Sequence, residues 1–312
     1  MPPPVPIPAD VRSWLLGVFG SCNERVSRIV SDVPTTHETP LDMSFIQHFV
    51  GITGAPHRFT SGWTVDLSTH YLGGGRHFAD WPGGPPRWEI ADIGLLVLFR
   101  QGGKLVRSKV ALLQSKRLYA EELDWDEDLR IDYEIGFRRL FQSDDDWAHV
   151  TEPRRFGFTE RSSYKALVSG VHQYQAIADY ELQRQIPVYY LLYNPCQIPS
   201  ETSLPIPQNR PPSTAPCDIG CRVLPASQLR AVLHSKPDGS SPEYGDLRTS
   251  LQAPFTTAAH HAGWRLEHFV DLLLECEVGY IAKGPSDNGL NYVFNRRTGP
   301  ISAALALTLD AP

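Results

Sequence analysis

The sequence predicts an α/β fold, a mixed central sheet flanked by helices, and three stretches carry that prediction. Across 88–119, two apolar runs rich in β-branched residues flank a Gly102-Gly103 break, the pattern of a β-hairpin. Residues 187–195 (P-V-Y-Y-L-L-Y-N-P) are apolar on both faces, as an interior strand beside a crossover helix should be. Helical periodicity over 164–185 supplies that crossover, and two more amphipathic segments precede the hairpin.

In chain order, the prolines between Pro2 and Pro8 make a stiff, extended arm. Asp10 is placed to cap a helix over 11–30, with Trp14, Leu15, Val18 and Phe19 among its apolar residues and Cys22 as packing. A second helix opens at Thr39-Pro40-Leu41-Asp42: an N-cap, a proline at the first helical position and an acid at the third. Its inward stripe is Leu41, Phe45, Phe49 and Ile52, and one turn back that stripe reaches Glu38. His37 beside it reads as a surface or capping residue. Residues 59–71 alternate as a first strand, and 73–86 form a Gly/Pro/Trp loop into the hairpin.

After the hairpin come an acidic insertion at 121–146 and a basic block at 152–165. The acids are either solvated surface or a flap that competes with nucleic acid. Arg154, Arg155, Arg161 and Lys165 are either phosphate contacts or partners of the acids upstream. Ser163 is placed to cap the 164–185 helix, whose stripe is Tyr164, Leu167, Val168, Val171, Tyr174, Ala178 and Leu182. Gln175 falls in the middle of it, as a core amide or as a group aimed at a site. A proline-dominated loop follows at 196–216, with Cys217 and Cys221 as structural cysteines rather than a zinc pair. I-G-C-R-V-L then reads as a strand, 225–233 as a short helix and 263–276 as another helix. The expected organisation is an N-terminal arm and helix over 1–35, a core domain over 36–235, and a helical extension over 236–312 packed on the core.

The polar residues of the hairpin stand out. Asp92 interrupts the first run near its start, while Gln114 and Lys116 interrupt the second near its end. Antiparallel pairing gathers all three at one end of the sheet, and Gln114 and Lys116, two apart, share a face. Burying an acid, an amide and an ammonium in an apolar sheet is costly without partners or a task. Register tests the grouping. A plain two-residue turn would pair Gln101 with Lys104 and set Asp92 opposite Leu113, on the face away from Gln114. A three-residue loop with a bulge, or one bulge further down, restores Asp92 opposite Gln114, so an odd offset is expected.

D-I-G, a hairpin and then Q-S-K resembles the core of the PD-(D/E)xK nuclease superfamily, in the Mrr-like restriction-endonuclease branch that has Gln for the first acid of E-x-K. The resemblance covers roughly 36–195 and implies a restriction-endonuclease-like α-β-β-β-α-β core. It implies phosphodiester hydrolysis, with Mg²⁺ (or Mn²⁺) held by Glu38, Asp92 and Gln114. Lys116 would orient the attacking water or stabilise charge on phosphate, and Gln175 would approach from the following helix. Arg117 joins the basic block as a nucleic-acid contact. Apart from the resemblance, Glu38 reads equally as a helix-dipole acid, and Asp92 with Lys116 as a structural ion pair. The branch commonly acts in restriction or anti-phage defence. The competing reading is a nuclease-fold binding or scaffold module that no longer cuts.

Composition sets the remaining bounds. With 312 residues, 41% of them hydrophobic and 21% charged, the chain has the make-up of an ordinary globular protein. A net charge of −6 argues against a surface coated for non-specific nucleic-acid binding. Binding to double-stranded DNA would then call on a homo-oligomer or an activating partner for further positive surface. No apolar run approaches membrane-spanning length, and the first residues lack the basic and apolar regions of a signal peptide. Five scattered cysteines suit a reducing cytoplasm. The sequence has no internal repeat, no P-loop, no G-x-G-x-x-G and no Ser-His-Asp or Cys-His context for a hydrolase.

Overall fold

The computed structural model describes residues 3–71, 90–123, 154–170, 172–204, 216–250, 263–284, 287–294 and 301–312. Glu89, most of the acidic insertion and the middle of the proline loop lie outside the described residues.

Helix α1 (Ala9–Asp32) buries Val11, Leu15, Phe19, Cys22, Val26 and Val30, a stripe at spacings of three and four. Pro8 precedes it, so Asp10 sits in the first turn, where it accepts from Val11 N at 3.0 Å and Thr60 Oγ1 at 3.2 Å. Helix α2 (Glu38–Val50) buries Leu41, Phe45, Ile46 and Phe49. It begins at Glu38, not after Thr39, which leaves Pro40 in the first turn, where a missing N–H has no intrahelical partner to lose.

The strands follow: β1 (His57–Arg58), β2 (Thr64–Tyr71), β3 (Ile93–Gln101), β4 (Lys104–Arg117), β5 (Glu121–Glu122), β6 (Arg154–Phe158), β7 (Val188–Tyr193), β8 (Ser200–Leu204), β9 (Arg222–Pro225), β10 (Trp264–Arg265), β11 (Tyr280–Ile281) and β12 (Ala303–Ala311). Between them lie α3 (His172–Arg184), α4 (Ala226–His234), α5 (Tyr244–Ser250), α6 (Leu266–Leu274) and α7 (Asn288–Val293). The main sheet runs β1-β2-β12-β3-β4-β7-β9-β10, with β11 also on β4, and β5-β6-β8 form a small second sheet. The main sheet is mixed, as expected: β4 and β7 are parallel across the α3 crossover, while β3–β4 and β7–β9 are antiparallel.

The hairpin has the expected odd offset. Gly102 and Gly103 both have positive φ (55° and 78°), the two-residue turn that matches strand twist, and Gln101 pairs with Lys104. A bulge then moves the register: Arg100 pairs with Leu105 but Phe99 with Arg107, leaving Val106 extra. From there Ile93 lies opposite Leu113, and one step on, Asp92 comes opposite Gln114.

Two expectations need correction. The extension after 236 is not simply helical, because its last strand enters the sheet interior: β12 runs antiparallel to β2 and parallel to β3 and lies between them. Burial on both faces makes this the stable place for Leu305, Leu307 and Leu309 alternating with small residues. The crossover helix is also shorter. It begins at His172, since Gly170 adopts φ +80° and residues 162–169 spend their backbone groups on the 240–244 segment, Tyr164 N on Pro242 O and Ser169 N on Ser240 O. The buried face is therefore Ala176, Ile177 and Tyr180, and Leu182 is 75% exposed.

One apolar core runs from Val11 to Ala311, drawing on α1, both sides of the hairpin, β7, α6 and β12. Helix α6 lies on α1, tied by Arg12 to Asp271 (2.5 Å) and Glu275 (3.0 Å) and by Asn23 Nδ2 to Glu267 (2.7 Å). Among the described residues no helix is long and apolar enough to cross a membrane.

Candidate functional site

Asp92 stands just ahead of β3, and its Oδ2 accepts three hydrogen bonds from the end of β4: Gln114 Nε2 at 2.6 Å, Ser115 N at 2.6 Å and Ser115 Oγ at 2.9 Å. Its backbone oxygen accepts from Ser302 N (3.2 Å) and Ala303 N (3.0 Å), so the start of β12 holds Asp92 from behind. Gly94, two residues on, leaves room for that approach; a Cβ there would meet Ile301 Cδ1 at 2.6 Å.

Helix α2 brings two carboxylates. Glu38 accepts from Lys116 Nζ at 3.5 Å and from Arg117 N at 3.2 Å. Asp42, one turn later, accepts from Tyr193 Oη at 2.6 Å and lies 2.9 Å from Ser115 Oγ. Burial raises the Asp42 carboxyl well above its usual range, and the neighbouring charges of Asp92 and Glu38 add to it. Ser115 Oγ thus sits 2.9 Å from one oxygen of each aspartate. A hydroxyl has one proton to donate, so with no cation present the arrangement closes when Asp42 is protonated: Asp42 donates to Ser115, and Ser115 to Asp92.

Of the residues singled out from sequence, Asp92, Gln114, Lys116 and Glu38 therefore come together. Gln175 does not: it faces solvent and donates to Asp179 at 2.9 Å, because the helix starts later and its buried face is rotated. Arg117 is 1% exposed, bonded to the carbonyls of Pro34 and Leu118 and stacked 4.2 Å from the Tyr119 centroid; it is a packing cation, not a phosphate contact. Arg154 forms a forked pair with Glu122 (2.5 and 2.7 Å) and Arg155 pairs with Glu201 (3.0 Å), which offsets their charge. Arg161 and Lys165 are exposed, with Lys165 Nζ 5.6 Å from the Tyr119 centroid.

Sequence reasoning missed Asp42, Ser115 and Tyr193. Asp42 had been spent as a capping acid, although its spacing of four from Glu38 puts both on one helix face. Ser115 alternates away from Gln114 and Lys116, yet the carboxylate of Asp92, off the end of its strand, reaches it.

Does this donor set suit a divalent cation? Gln114 is 2% exposed, and among the described residues its buried Oε1 has no hydrogen-bond partner, while its Nε2 donates to Asp92. An orphaned amide oxygen next to crowded carboxylates is the hard, oxygen-only chemistry that Mg²⁺ prefers. As they stand, no three His, Cys, Asp or Glu side chains among the described residues converge closely enough to hold a metal by themselves. A cleft of about 620 Å³ begins one residue from Glu38 and Lys116, lined by Pro34, His37, Arg117, Tyr119, Glu121 and Lys165 among others.

No protein-family model matches the chain, and neither a curated protein nor a solved structure matches it.

Proposed function

We propose that the chain is a Mg²⁺- or Mn²⁺-dependent nuclease that hydrolyses phosphodiester bonds of double-stranded DNA, as a restriction-type or anti-phage effector. The observation that carries this is the gathering of acidic groups at one sheet end: Asp92 and Asp42 share Ser115, Glu38 on the same helix face as Asp42 pairs with Lys116, and Gln114, bonded to Asp92, keeps an unsatisfied oxygen. Apart from the short β1 and the second-sheet strands β5 and β6, the order α2-β2-β3-β4-α3-β7 also supports it, being the helix, three strands, helix and strand that the PD-(D/E)xK resemblance implies, with β12 added between β2 and β3 in the sheet.

Asp92 and Asp42, with the Gln114 oxygen and Glu38, would hold the cation, which when bound lowers the pKa of its water and offsets charge on phosphate. The remaining work belongs to the chain. Tyr193 orients Asp42 through a hydrogen bond of 2.6 Å, and Ser115 orients Asp92 through one of 2.9 Å. Lys116 keeps its ammonium at the site edge through Glu38, where it can face a phosphate oxygen. Two of the four cations in the basic block, Arg154 and Arg155, are paired with glutamates, which leaves few phosphate contacts and supports dependence on self-assembly or an activating partner.

A nuclease-fold scaffold that no longer cuts is the second reading, favoured by the engagement of Lys116 with Glu38. Purified chain incubated with plasmid and Mg²⁺ or Mn²⁺ separates the two. The nuclease nicks or linearises the plasmid, EDTA stops it, and Asp92→Ala and Lys116→Ala lose at least about a hundredfold in rate. DNA binding without turnover at any protein concentration would leave the scaffold reading.

A further inference from the structure

We propose that Cys196 and Cys217 form a reversible disulfide, a redox-sensitive site beyond the end of β7 and separate from the acidic cluster. All five cysteines are free thiols in the structure. The fold nonetheless makes Cys196 and Cys217 neighbours, close enough that each thiol acts on the ionisation of the other. Their backbones are laid side by side: Ile219 N donates to Cys196 O at 3.0 Å, Gly220 N to Pro195 O at 3.3 Å, and Gln197 Nε2 to Pro216 O at 3.3 Å. Ser31 Oγ takes the Cys196 amide at 2.9 Å, so the segment is also anchored on α1.

The two sulfurs are unlike. The neighbouring Cys196 holds the Cys217 thiol below its ordinary range, helped by Ser27 and by the Arg265 guanidinium, which is fixed there by its own bond to Cys217 O at 2.9 Å. Burial pushes the Cys196 thiol up. Cys217 is half-buried and open to a small oxidant, while Cys196 is buried behind it. That is the division between an attacking and a resolving cysteine. The neighbouring thiols are occupied elsewhere: Cys22 Sγ lies 3.8 Å from Phe45 O, and Cys221 Sγ lies 3.5 Å from Ser27 Oγ. Burial pushes Cys221 up to about 12.

With hydrogen peroxide as oxidant, the Cys217 thiolate attacks one peroxide oxygen. The O–O bond breaks, a sulfenic acid forms and hydroxide leaves. Cys196 sulfur then attacks the Cys217 sulfur: an S–S bond forms, the S–O bond breaks, and the departing hydroxide takes the Cys196 proton. Two thiols and one peroxide become one disulfide and two waters. The crosslink would staple the chain three residues beyond Tyr193 to the segment leading into β9.

The test uses the full, reduced chain treated with hydrogen peroxide, alkylated, and digested with a glutamyl endopeptidase, which can cut after Glu201 between the two cysteines. A linked Cys196–Cys217 peptide that dithiothreitol removes is expected. Cys217→Ser should abolish it, and Cys196→Ser should leave Cys217 as a sulfenic acid captured by dimedone. In the untreated wild type, Cys217 should alkylate at least about tenfold faster than Cys22, Cys196 or Cys221. A different linked pair, oxidation of Cys217 past sulfenic acid while Cys196 stays free, or equal alkylation rates would overturn the assignment.

Discussion

At the residue scale, Asp42 carries the sharpest tension in the molecule: burial and the charges of Asp92 and Glu38 favour its neutral form. Its protonated form donates to Ser115 and accepts from Tyr193, and an asparagine reproduces that pattern atom for atom. Asp42→Asn is therefore expected to keep or raise stability without divalent ions, by roughly 2 °C in melting temperature for about 1 kcal/mol. Under the proposed function the same change removes a carboxylate from the cation's ligands, so divalent-dependent cleavage should fall at least about a hundredfold. Thermal melts with and without Mg²⁺ check both halves, and a large destabilisation in EDTA would show that Asp42 is ionised and structurally required. Under the proposed function, the unsatisfied Gln114 oxygen belongs to the same trade, stability given up for a cation ligand.

At the element scale, the bulge in β4 reconciles a two-residue turn with a site that needs Asp92 opposite Gln114. Deleting Val106, which is 50% exposed, removes the extra residue and leaves a regular hairpin with every other pairing unchanged. The expected result is a folded protein within about 5 °C of the wild type that keeps the cleavage activity proposed for it. A folded but inactive variant would mean that the added twist of the bulge itself aims the site. Further along β4, Lys109 is fully buried and donates to Leu273 O and Val278 O, both at 2.7 Å, tying the end of α6 to the sheet. Burial lowers its pKa to about 8. The unfolded chain keeps that proton to about 10.4, so between those values the unfolded state binds more protons and stability rises with pH. Lys109→Met lacks this slope. Urea midpoints at pH 7 and pH 9.5 should show the wild type gaining on the variant, and parallel pH dependences would count against a lowered lysine.

At the scale of the whole molecule, the two chain ends enclose the centre. α1 packs on α6, and β12 separates β2 from β3 while holding the Asp92 carbonyl. Ending the chain at residue 300 would strip the inner edges of both β2 and β3 and expose their apolar faces. It should abolish cooperative unfolding, and a peptide of 301–312 added in trans should partly restore it. A truncated chain that melts cooperatively, with β3 amides still protected from exchange, would contradict the central place of β12.

Much of this was legible in sequence. Periodicity located α1, α2, the hairpin, β7 and β9, because each buries one continuous face and its apolar spacing records that burial. Parity arithmetic on Gly102-Gly103, Asp92 and Gln114 calls for a bulge from the sequence alone, since a β-strand alternates strictly. β12 was not legible: A-A-L-A-L-T-L-D-A has small residues where an isolated strand would show branched ones, and only its neighbours in space make it an interior strand. Gln175 and the start of α3 were misjudged because residues 162–169 pair with a segment some 75 positions away, which no local pattern reveals. Asp42, Ser115 and Tyr193 come from three elements, so their convergence on Asp92 exists only after packing. The sequence determined which groups were too polar for their strands and helices; the tertiary structure decided which of them meet, because meeting depends on how faces turn toward one another.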